Sequence, residues 1–225
     1  MKRGLYVFFI FIFMLIKADG FSQRNTVFSG YKYRWGFSVS YGPKKFGESI
    51  EHINHFYHLR DYYQVYIFKY QFYYSLHRRK KWGVDFLLQP QYNLTKYREY
   101  QFEEKMHSGH EFGINPGIVV RYNFLFDFIS YYAVLSIGPH YTSNTPDIQA
   151  NGFIFSDNLF CGADIRLEKN TYLDIQLGFR HISNAGLKSP NRGINNILMG
   201  VGFIINFNDI KSKIRKTGKN SYEIA

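Results

Sequence analysis

Tyr172-Leu173-Asp174-Ile175-Gln176-Leu177-Gly178-Phe179-Arg180-His181-Ile182-Ser183 alternates with a period of two. Tyr172, Asp174, Gln176, Gly178 and Arg180 share one parity, and Leu173, Ile175, Leu177 and Phe179 share the other. Successive side chains of a strand point to opposite faces, so this run predicts a strand with one polar and one apolar face. His181 and Ser183 continue the apolar row. An imidazole and a hydroxyl therefore stand at the end of a greasy stripe.

The same alternation recurs on both sides of this strand. Trp35, Phe37, Val39 and Tyr41 oppose Gly36, Ser38 and Ser40 in a first strand. Tyr62 to Tyr74 predicts a second, whose faces are both aromatic and whose orientation Lys69 leaves open. A third sets Trp82, Val84, Phe86 and Leu88 against Gly83, Asp85 and Gln89, and a polar loop from Asn93 to Gly109 is expected after it. A fourth sets Phe112, Ile114, Ile118 and Val120 against Glu111, Asn115 and Arg121; a fifth sets Tyr131, Ala133, Leu135 and Ile137 against Ser136 and His140. The sixth carries Phe155, Leu159, Cys161, Ala163 and Ile165 on its apolar row and Asn158, Asp164 and Arg166 on its polar row. The eighth opposes Ile197, Met199, Val201, Phe203 and Ile205 to Asn196, Gly200 and Gly202. Connections alternate long and short, as in a membrane barrel with long external loops and short periplasmic turns. Closure leaves no strand edge with unpaired backbone groups, which is what admits strands to hydrocarbon. The expected fold is all-β, an eight-stranded antiparallel transmembrane β-barrel. A soluble barrel of lipocalin type would invert the two faces.

Composition agrees. Aromatics are 20% of the 225 residues, with 23 Phe and 20 Tyr, yet mean hydropathy is only −0.30. Many rings with many polar groups suit a wall that is apolar outside, polar inside and girdled by aromatics. Lys2-Arg3 followed by an apolar run from Leu5 to Ile16 and small residues at Gly20 and Ser22 reads as a signal peptide over 1–22. The run falls short of the roughly 18 to 20 apolar residues of a spanning helix. The barrel is then expected over 23–207, with a basic tail over 208–225. One cysteine, Cys161, excludes an intramolecular disulfide. A net charge of +11 on an exported chain points to anionic lipid head groups as neighbours and away from nucleic acid.

Residues i and i+2 of a strand lie on one face about 6 to 7 Å apart at Cα, so His181 can reach the Ser183 hydroxyl. A base beside a hydroxyl, a third group orienting the imidazole, and donors for an oxyanion together make acyl-transfer chemistry. Gly186 and Gly193 allow tight turns, and Asn184 or Asn191 carries amide donors of the kind an oxyanion needs. H-x-S by itself is equally compatible with an interfacial His and Ser at head-group level.

The longer run His181-Ile182-Ser183-Asn184-Ala185-Gly186-Leu187-Lys188-Ser189-Pro190-Asn191-Arg192-Gly193-Ile194 resembles the signature of the lipid A 3-O-deacylase (PagL), or acyloxyacyl-hydrolase-like, outer-membrane family. That resemblance implies a barrel that cleaves an ester-linked acyl chain from lipid A of lipopolysaccharide, with its site facing the outer leaflet and no metal or organic cofactor. By position it implies His181 as general base, Ser183 as nucleophile, and Asn191 with the backbone near Gly186 as oxyanion donors. Lys188 and Arg192 are placed to meet lipid A phosphates.

One position departs from the family pattern. The triad glutamate is replaced by Asn195. An amide oxygen still accepts from the imidazole N–H but cannot stabilise an imidazolium as a carboxylate does. Either Asn195 suffices, or a carboxylate from elsewhere such as Asp157 substitutes, or the barrel is non-catalytic with a degenerate site. His52, His55 and His58, and likewise His107 and His110, have spacings that raise a metal site as an alternative to polar loops.

Overall fold

Eight strands, β1 (Tyr31–Gly42), β2 (Tyr63–Arg78), β3 (Trp82–Tyr97), β4 (His107–Tyr122), β5 (Ile129–Thr142), β6 (Gly152–Arg166), β7 (Thr171–Ser183) and β8 (Ile194–Asn208), form the chain's regular structure. Each pairs antiparallel with the next, and β1 pairs with β8 to close the barrel. The computed structural model describes residues 31–42, 63–79, 81–99, 104–123, 128–168 and 170–208. The expected signal peptide, the histidine-bearing stretch with His52, His55 and His58, and the basic tail beyond Asn208 lie outside the described residues.

The wall is inverted relative to a soluble protein. Leu135, Leu159, Val201 and Phe203 point outward and are more than half exposed, whereas Arg34, Lys69, Asp85, Glu111, Arg121, Asp164, Asp174 and Arg180 are buried in the lumen. A single-residue shift would move every charge to the outside, so the pattern fixes the faces. This is the arrangement of a membrane barrel.

Charges are admitted to the lumen because they find partners there. Arg34 and Arg121 both bond Asp85, and Arg121 also bonds Asp164. Toward the other end, Glu111 accepts from Arg180, from Tyr63 and, at 2.7 Å, from Asn93. Above that pair the lumen turns apolar, where Ile154, Ile182, Ile194 and Leu198 are fully buried. These residues fill the barrel beneath the β7–β8 loop.

Two expectations need correction. The stretch from Asn93 to Gly109 is not one long loop: β3 continues to Tyr97 and β4 begins at His107. Asn93, Thr95 and Tyr97 are polar or amphipathic because they face the lumen, and a lumen-facing row reads like loop composition. The orientation of β2 also becomes defined. Its odd residues from Tyr63 to Tyr73 face inward, and Lys69 bonds Gln176 from within the lumen with its ammonium 4.2 Å from the Phe160 ring centroid. Inward-facing tyrosines made both faces look aromatic.

Candidate active site

The register of three strands builds the site. On the outer wall, β6, β7 and β8 align as rows: Leu159–Phe179–Ile197, Cys161–Leu177–Met199, Ala163–Ile175–Val201 and Ile165–Leu173–Phe203. All four are free of charge. The next row toward the β7–β8 loop is Asp157–His181–Asn195. Ser183 follows, opposite Phe155 of β6. Alternation forces this placement, because Arg180 and Ile182 on either side of His181 are buried inside. His181 and Ser183 are thus on the outer wall and partly exposed.

His181 Nδ1 lies 2.7 Å from Asn195 Oδ1. With Nδ1–H donating to that oxygen, Nε2 keeps its lone pair, the tautomer a general base needs. Gly193 closes over the far edge of the ring. A β-carbon built there would stand 2.5 Å from His181 Cε1 and 3.1 Å from Nε2, and its φ of 71° also disfavours any side chain. The Cε1–Nε2 edge of the ring therefore lies beside bare backbone.

The loop after Ser183 is held by its own amides. Asn184 is buried; its Oδ1 accepts from Gly186 N at 3.0 Å and its Nδ2 donates to Lys188 O at 2.6 Å. Asn191 Oδ1 accepts from Asn184 N at 2.8 Å. Asn184 and the Gly186 N–H, expected as oxyanion donors, each make a hydrogen bond within the turn through Ala185 and Gly186 at positive φ. Asn191, anchored through its oxygen, retains its amide nitrogen as a donor. Lys188 and Arg192 are exposed on the same loop.

A second loop pins the first. Asn191 bridges antiparallel to Gln149; Ala150 N donates to Pro190 O at 2.8 Å and Arg192 N to Ile148 O at 2.9 Å. Gln149 is buried and Thr145 bonds its carbonyl. This two-loop ladder had no expression in the sequence reading, because bridges between loops leave no periodicity. The position of Asp157 beside His181 could have been counted. Both stand nine residues along their strands from the Arg166–Tyr172 pair that begins the β6–β7 register.

His107 and His110 sit three apart on β4, so they face opposite sides of the wall, and their rings stack on Tyr97 and Tyr92 respectively. That geometry separates them as ligands for one ion. Among the described residues, no group of His, Cys, Asp and Glu is arranged to hold a metal.

The sequence profile described as lipid A 3-O-deacylase (PagL) matches residues 30–203. Among solved structures, the outer-membrane enzyme PagL superposes with a TM-score of 0.54 at 17% identity, over 76% of this chain and 99% of that one. Neisserial surface protein A gives 0.44 at 10% identity, over 78% and 96%, and OprG of Pseudomonas aeruginosa gives 0.43 at 11%, over 80% and 99%. No match arises among curated protein sequences. The structural likeness carries the fold, and the profile takes in β1 to β7, most of β8 and the whole of the His181–Ile194 run. On that match, the chain belongs to the lipid A 3-O-deacylase (PagL) family of outer-membrane β-barrels.

Proposed function

We propose that this protein is a serine esterase that removes an ester-linked acyl chain from lipid A, working from the outer wall of the barrel in the outer leaflet. Ser183 Oγ attacks the ester carbonyl while His181 Nε2 takes its proton. The imidazolium returns that proton to the departing sugar oxygen as the C–O bond breaks. Water then repeats the sequence on the acyl-serine and releases a fatty acid. Asn195 holds the imidazole in the tautomer that leaves Nε2 basic, and Asn191 Nδ2 meets the oxyanion. Lys188 and Arg192 engage the phosphates.

The observation that carries this reading is the 2.7 Å contact between His181 and Asn195 on the lipid-facing wall, two residues from Ser183. An esterase for a membrane lipid needs its base and hydroxyl at the hydrocarbon boundary, and the outward parity of His181 and Ser183 supports that reading. Purified barrel incubated with lipopolysaccharide is expected to release free fatty acid, and Ser183→Ala and His181→Ala proteins none. Asn195 in place of a carboxylate favours a second reading, a barrel of the same fold with a degenerate site. On that reading, wild type and Ser183→Ala give the same null release.

A further inference from the structure

We propose that Asp157 supplies the negative charge that Asn195 does not, as an electrostatic positioning residue for His181 from the neighbouring strand. This rests on Ser183 and His181 acting as nucleophile and base. Asp157 is the direct register partner of His181 across β6–β7, on the same outer face. Directly opposed residues of an antiparallel pair have Cβ atoms about 4.5 to 5.5 Å apart, so carboxylate and imidazole are neighbours. His181 is thus held between two strands. Asn195 on β8 takes the Nδ1 hydrogen, and Asp157 on β6 is the register partner on the other side.

Two further observations set Asp157 apart. It is the one carboxylate in the outward rows of β6, β7 and β8, where its row neighbours further down the wall are Leu159, Cys161, Ala163 and Ile165. A carboxylate at a membrane face is costly, and such groups mark function. In addition, Asp157 Oδ1 is buried and has no hydrogen-bond partner. Lumen carboxylates Asp85, Glu111, Asp164 and Asp174 each receive a donor, although Asp164 Oδ1, like Asp157 Oδ1, has none; on the outer wall, the register partner of Asp157 is a ring that becomes cationic only during the reaction.

The chemistry follows. When Ser183 Oγ bonds to the acyl carbon, its proton moves to Nε2 and the ring carries a full positive charge. Next to hydrocarbon, a unit charge is poorly screened and a carboxylate one strand away stabilises it strongly. Asn195 fixes orientation and tautomer; Asp157 provides the charge. The two strands divide what a triad carboxylate does alone.

The test measures phosphonylation of Ser183 by a fluorophosphonate probe and, in parallel, fatty-acid release from lipopolysaccharide, on barrels whose heat-modifiable gel shift shows them folded. Asp157→Asn is expected to slow labelling and kcat by about ten- to a hundredfold with KM unchanged, less than the ~10⁴ seen when a directly bonded triad carboxylate becomes an amide. Placing the charge on the other strand rescues it: Asn195→Asp, or Asn195→Glu, in the Asp157→Asn background restores most of the rate. The same change in the wild-type background gains little. Asp157→Asn at full rate overturns the proposal, as does a loss that neither Asn195 variant rescues. Absence of Ser183 labelling in the wild type overturns it as well. Labelling that depends on Asp157 without release of fatty acid leaves the proposal standing and removes the lipid A substrate.

Discussion

The lumen and the outer wall of this barrel both carry ionisable groups, and they treat them in opposite ways. Inside, Arg34 and Arg121 converge on Asp85, Arg121 reaches Asp164, and Arg180 is locked onto Glu111 with Tyr63 and Asn93 completing the carboxylate's shell. Outside, the row Asp157–His181–Asn195 holds an imidazole between an amide that bonds it and a carboxylate on the next strand. Satisfied charges rigidify a narrow barrel. A carboxylate set beside an imidazole by fixed register can respond to a charge that appears only in a transition state.

The sharpest way to break this contrast is to remove the reactive hydroxyl. Ser183→Ala is expected to lower deacylation by about 10⁴-fold or more, the order typical of losing a nucleophile, with the gel shift unchanged. Activity within tenfold of wild type would show that the outer row is ornamental. Gly193→Ala comes next. Its methyl would stand 2.5 Å from His181 Cε1, and a displacement of about 1 Å at a reacting group costs on the order of a hundredfold. Fatty-acid release measures it, and an unaffected rate would mean that the ring does not sit against this backbone.

On the lumen side, Arg180→Met strips Glu111 of its guanidinium. Breaking one partner of a buried pair costs about 3 to 5 kcal/mol, so the urea midpoint of the folded barrel falls. The folded fraction should keep its activity, since Arg180 and His181 face opposite sides of β7. Loss of activity without loss of stability would merge the two regions that the account separates. The smallest effect is expected at the loop. Lys188→Ala with Arg192→Ala removes two exposed cations, and exposed pairs are worth about 0.2 to 1 kcal/mol each. KM should rise about two- to tenfold with kcat unchanged; a fall in kcat instead would place these cations in the chemistry.

What the sequence disclosed follows the same division. Below the Asp157–His181–Asn195 row, the outward rows of β6, β7 and β8 are free of charge, so their alternation, and the outward placement of His181 and Ser183, could be read directly. The lumen was harder, because its residues resemble other things. Lys69 and the inward tyrosines of β2 blurred that strand's faces, and Asn93, Thr95 and His107 passed for a loop when they belong to β3 and β4. In the active loop, identity alone does not say which end of an amide is used. Asn184 and Asn191 looked equivalent, yet Asn184 is buried and shapes the turn while Asn191 hangs from it by its oxygen. Cross-strand neighbours are legible only where a short connection fixes the register, as it does for Asp157 and His181, where Leu167 N and Glu168 N both donate to Thr171 O.

The most direct measurement is a mass spectrum of lipid A from cells expressing the wild-type chain, compared with cells expressing Ser183→Ala at equal barrel levels. Loss of the mass of one ester-linked acyl chain in the first and not the second is the predicted result. Identical spectra from the two would contradict the account.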